Sequence, residues 1–141
     1  MKGFITVADA ATSDDRTNKV STLGAFWSTL ADGARDIDVV FVLRLNPDEL
    51  GAHDVKIRLA PQDDSEGDAI AEIGASLTIE PTEDKEPTPG LPAVFSRTIR
   101  LSGTKLKPGL YSWSLEVDET PLDEWVFLVT ETAAQPDQPS G

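Results

Sequence analysis

The sequence predicts an all-β fold: an antiparallel two-sheet sandwich, immunoglobulin-like, with about eight strands. Three observations carry this. Tyr111, Trp113, Leu115 and Val117 recur at every second position, and Trp125, Phe127 and Val129 do so again after a polar break. Alternation at period two marks a half-buried strand. The run Ile37–Leu45 is apolar on both sides, as in a strand covered on both faces. Between such runs lie short polar turns at regular spacing.

In chain order, Phe4–Ala8 is the first expected strand, and Ala10–Asn18 a small polar connection with Ser13-Asp14-Asp15 as turn cluster. Lys19–Leu30 carries Val20, Leu23, Phe26, Trp27 and Leu30. Gly24 inside it disfavours a helix by about 1 kcal/mol relative to alanine and suits a bent strand. In Ile37–Leu45, Val39, Phe41, Leu43 and Leu45 share one face. Asn46–Gly51 has turn chemistry. His53–Ala60 alternates Val55, Ile57 and Leu59 against Asp54, Lys56 and Arg58, so residues 37–60 are expected to form a hairpin. Ala69–Glu80 alternates likewise, and Gly74 and Leu77-Thr78-Ile79 favour strand over helix. Pro81–Pro92 holds four prolines and is expected to be a surface loop. Ala93–Leu101 is a further strand with Phe95, Ile99 and Leu101 inward and Arg97 near the rim. The Pro108–Thr130 hairpin follows, with an acidic tip at Asp118–Glu124. Residues 1–132 form the expected domain, and 133–141 a polar tail that should be disordered alone.

With 141 residues and no cysteine, the chain can bury a core without staples and has neither disulfides nor thiolate metal ligands. Its opening residues lack the continuous apolar core of a secretion signal, and the longest apolar run, Val39–Leu43, is far short of a membrane span. The expected location is cytoplasmic or in a virion, without membrane insertion. Net charge is −13, with nine acids and seven bases in residues 1–60 but sixteen acids and five bases in residues 61–141. Such a field repels phosphate backbones, so nucleic acid is not an expected partner. Acidity of this kind ordinarily serves solubility; a basic partner surface is the functional alternative.

No catalytic, cofactor-binding or metal-binding residue is assigned. His53 is the only histidine and has no nucleophile elbow to serve. The 25 acids make carboxylate pairs uninformative. Asp63-Asp64-Ser65-Glu66-Gly67-Asp68 invites a calcium interpretation. An EF-hand register on Gln62, Asp64, Glu66 and Gly67 fails at its twelfth place, where Ile73 stands, and a solvated hairpin tip is the default. Three tryptophans suggest a glycan platform, yet Trp113 and Trp125 lie in apolar stripes and are expected in the core. Phe26 and Trp27 are adjacent and face opposite ways, so one of them is a candidate exposed anchor for a partner.

Three segments resemble an uncharacterised family of small bacterial β-sandwich proteins, one of the domain-of-unknown-function families. They are Phe4-Ile5-Thr6-Val7-Ala8-Asp9; Asn18-Lys19-Val20-Ser21-Thr22-Leu23-Gly24-Ala25-Phe26-Trp27, with Asn18 where the pattern has glycine; and Pro108-Gly109-Leu110-Tyr111 running into Val117-Asp118. The resemblance implies the fold alone. The expected function is a non-enzymatic structural or protein-interaction module, one version being a bacteriophage or prophage virion component such as a capsid decoration domain. The alternative class is a calcium- or glycan-binding module.

Overall fold

Alternating apolar strands bury one face each, and the described residues place nine strands in two facing sheets. A computed structural model describes residues 1–14, 16–17, 19–62, 69–80 and 91–131. The strands are β1 (Lys2–Asp14), β2 (Lys19–Ala25), β3 (Thr29–Ala31), β4 (Gly33–Leu45), β5 (Gly51–Pro61), β6 (Ala71–Ile79), β7 (Ala93–Leu106), β8 (Gly109–Val117) and β9 (Thr120–Thr130). The first sheet has the order β2-β1-β4-β7, the second β3-β9-β8-β5-β6. Every pair is antiparallel except β3 with β9. The all-β sandwich expected from the alternation is therefore present, with nine strands among the described residues.

The core lies between the sheets. Ile5, Val39 and Leu43 of the first sheet face Ile57, Leu59, Leu115 and Phe127 of the second, and Trp113 is wholly enclosed. Tyr111 stacks on Phe127 at 5.8 Å between ring centroids and donates its hydroxyl to the Lys107 carbonyl, four residues back, at 2.7 Å. Leu106-Lys107-Pro108-Gly109-Leu110-Tyr111 thus builds a tyrosine corner, a feature of immunoglobulin-like sandwiches.

Several expected connections differ. β4 and β5 are not a hairpin. The 3-10 turn Pro47–Glu49 carries the chain from the first sheet to the second, because β4 is claimed on both edges by β1 and β7. Lys19–Leu30 is two strands in different sheets. The crossing lies at Phe26–Ser28, beyond the bend expected at Gly24-Ala25. β1 runs on to Asp14, through most of the expected polar connection, and β7 continues to Leu106. The hairpin tip shrinks to Asp118-Glu119, both at positive φ (50° and 67°), as a tight two-residue turn requires. Arg97 sits over the Phe95 ring, 4.1 Å from its centroid.

β1 forks. It pairs with β4 from Lys2 to Ala8, then with β2 out to Asp14. Thr6, Ala8, Asp38 and Val40 point away from the core yet are buried. The outer part of the β1–β2 hairpin covers them: Ser13 and Thr98 of β7 bring their hydroxyls to 3.5 Å, although β4 separates β1 from β7 in the sheet. Beneath this arm Asp38, 1% exposed, accepts the Ala11 backbone N–H at 2.7 Å and the Arg100 guanidinium at 2.8 and 3.1 Å. The arginine's hydrogen bond holds the Asp38 carboxyl below the usual carboxylate range, against the opposing effect of burial.

Two outcomes follow from this geometry. Asp38→Ala leaves the Ala11 N–H without a partner under the arm, and urea unfolding should show a loss of about 2 kcal/mol. Glu119→Gly removes a side chain from left-handed backbone, and the same measurement should show a gain of about 1 kcal/mol.

Candidate interaction surface

The crossing between sheets exposes aromatic surface. After β2 the backbone turns at Phe26, whose φ of 65° is left-handed and unusual for a bulky residue. Its N–H donates to the Val7 carbonyl at 2.9 Å, which fixes the turn against β1. The Phe26 ring stands 61% exposed, flanked by Phe4 and Trp125 with both centroid distances 6.2 Å. Phe4 is itself 40% exposed. Three rings from β1, the crossing and β9 thus form one outward corner.

The corner is held from behind. Ile5 donates its backbone N–H to the Asp123 carboxylate at 2.8 Å, tying β1 to β9 across the two sheets. Trp27 turns inward and meets Phe127 edge-on at 5.3 Å. Its carbonyl accepts the Trp125 indole N–H at 3.0 Å. Of the adjacent pair, Phe26 is therefore the exposed member and Trp27 the packed one. Trp125 is only partly buried, because its outer edge joins the corner, whereas Trp113 lies in the core as expected.

His53 serves a different purpose. Its Nδ1 lies 2.6 Å from an Asp118 carboxylate oxygen and its Nε2 2.5 Å from the Glu49 carbonyl. Both neighbours are acceptors, so the protonated ring can donate to both at once. The Asp118 hydrogen bond, then the Glu49 carbonyl, raise the His53 pKa above its ordinary value. Asp118 is lowered in turn, chiefly by His53 and by the Asp54 backbone N–H. Glu49 is held low by the Met1 amino group and the Asn46 N–H. This chain of contacts joins the 3-10 turn to the β8–β9 tip. Both His53 nitrogens are thereby engaged, one by the Asp118 carboxylate and one by the Glu49 carbonyl.

The acidic tip is likewise engaged. Asp118 binds His53 and the Asp54 N–H, Asp123 caps Ile5, and Glu124 accepts from the Gln62 amide. Among the described residues no group of three His, Cys, Asp or Glu side chains is arranged to hold a metal ion. The calcium candidate Asp63–Asp68 and the tail 133–141 lie outside the described residues. Among those described, no helix is long and apolar enough to cross a membrane.

An aromatic corner, a tyrosine corner and a histidine used as a structural pin define an all-β sandwich whose distinctive chemistry is apolar surface. The chain belongs to DUF6941, a family of unknown function, whose sequence model matches residues 3–130. A search of curated proteins finds no match.

The His53 contacts carry a pH dependence of known sign. A raised folded-state pKa contributes stability that is full below the unfolded value of about 6.5 and is lost as pH rises through the folded value. The melting temperature should therefore fall as pH is raised upward from about 6, and His53→Gln should flatten that decline.

Proposed function

We propose that the chain is a non-enzymatic protein-interaction or assembly module that seats its partner on the Phe4–Phe26–Trp125 corner. Phe26 is the observation that carries this. Left-handed backbone costs a non-glycine residue about 1 kcal/mol or more, and glycine is the residue such a turn ordinarily takes. The ring contacts to Phe4 and Trp125 recover a similar amount, at about 0.5 kcal/mol each for exposed pairs. Folding therefore gains little from an aromatic here, while strain and exposure together are features of binding sites. Exposed, clustered aromatics are also the side chains that dominate interface energetics. The pinned His53 supports a structural role for that residue. In the form suggested by a small acidic sandwich, the module is a virion assembly component of a bacteriophage or prophage, with the corner seated on the particle.

Phe26→Gly separates folding from binding. Strain relief offsets the lost ring contacts, so its stability should stay within about 1 kcal/mol of the parent chain. Recovery of the native partner by co-purification should drop at least about tenfold, equivalent to about 1.4 kcal/mol. A partner retained equally by Phe26→Gly would remove the corner as the binding surface.

A further inference from the structure

A sheet edge presents unpaired backbone groups, and proteins ordinarily protect such edges with brevity, basic residues, proline or bulges. Among the described residues the four outer strands are β2, β7, β3 and β6. β3 has three residues. β2 carries Lys19 and the left-handed Gly24. β7 carries Arg97, Arg100 and Lys105, has a bulge in its ladder with β4, and lies partly beneath the β1–β2 arm. β6 has none of these devices. It runs nine residues in unbroken register with β5, without proline, lysine or arginine. Its one charge, Glu72, lies between Lys56 at 3.8 Å and Arg58 at 4.0 Å.

The outer face beside this edge has a matching shape. A shallow depression of about 380 Å³ is lined by Asp54, Lys56, Gly74, Ser76, Glu116 and Glu119. It opens where Gly74 lacks a side chain, since a Cβ there would meet nothing within 4 Å. Three carboxylates surround a single ammonium, and Lys56 is already shared between Glu72 and Glu116. The Ser76 hydroxyl donates to Asp54 at 2.7 Å and leaves that carboxylate's charge in place. A strand added beside β6 would lie about 4.8 Å away, so a long outward side chain reaches diagonally over Gly74.

We propose that β6 is a docking edge for an extended, basic segment of a partner protein, which adds a strand beside Ala71–Ile79 and lays a lysine or arginine across Gly74 into the acidic depression. Main-chain hydrogen bonds supply affinity, and alternate side chains supply selection. The net charge of −13 favours a basic segment over a second copy of this acidic chain. The surface is distinct from the aromatic corner, so the two proposals stand or fall separately.

Gly74→Lys is the test. The open space at Gly74 accepts the new side chain, which fills the depression and places a basic gatekeeper on the edge. The probe is a fluorescent peptide of about twelve alternating Lys and Val residues, with Lys-Gly and Glu-Val peptides of equal length as controls. Fluorescence anisotropy should show the Lys-Val peptide binding the full chain, weakened at least about tenfold by Gly74→Lys and unchanged by Phe26→Gly. The Glu-Val peptide should not bind, and thermal melting should show Gly74→Lys folded. Equal binding of the Lys-Gly peptide would reduce the effect to charge attraction and overturn strand addition. Undiminished Lys-Val binding by Gly74→Lys would overturn the site. A dimer of the parent chain that Gly74→Lys dissolves, seen by sedimentation, would give the edge to a second copy and overturn the basic partner.

Discussion

The fold depends on one buried carboxylate. Asp38 lies where β1 leaves β4, and it replaces the ladder that ends there with a side-chain acceptor for Ala11. Burying a charge is unfavourable unless the charge is paired and hydrogen-bonded, and Arg100 and Ala11 supply both requirements. Without this acceptor, the Ala11 N–H would be left unsatisfied as the strand bends away. With it, β1 serves both as a strand of the first sheet and as half of the arm over that sheet's outer face. The arm in turn explains why Val40, on the far side of β4 from the core, is as buried as a core residue.

The same strand sets up the aromatic corner. Val7 of β1 accepts the Phe26 N–H, and Ile5 of β1 is capped by Asp123 of β9. Gly24 makes the approach possible: the Asp9 carboxylate occupies the space where a Cβ at residue 24 would be. The chain then crosses to the second sheet within three residues, and β3 joins β9 in parallel rather than as a hairpin. Strain is thereby concentrated at the crossing and exposed on one ring, while the packed Trp27 beside it anchors the segment.

Local periodicity made the strands legible. The Tyr111–Val117 stripe, the Val55–Leu59 alternation and the two-sided apolar run of β4 all appear where the pattern placed them, because each follows from a strand burying one or both faces. Pairing was less legible. Nothing local to residues 37–60 distinguishes a hairpin from a crossing between sheets; the choice is set by β1 and β7 competing for β4. Alternation showed that Phe26 and Trp27 face opposite ways but not which one faces out, which depends on a backbone φ. Phe4 was missed as a surface residue because its neighbours at the corner come from residues 26 and 125. His53 stands beside Asp54 in sequence, yet its carboxylate partner is Asp118, 65 residues on. The tyrosine corner did have a local signal, the run Leu106–Tyr111 with its Pro-Gly pair.

The parallel pairing of β3 with β9 has a consequence for how the protein is made. Leu30 is paired with Val129, and Ile5 is capped by Asp123, so contacts of the earliest strands wait for the last one. During synthesis, at about 5–20 residues per second, the first sheet can form while its apolar inner face has no completed second sheet to cover it. Folding dominated by such distant pairings is slow. Ile5, Val39 and Leu43 are therefore synthesised well before Leu115 and Phe127, the second-sheet residues that cover them.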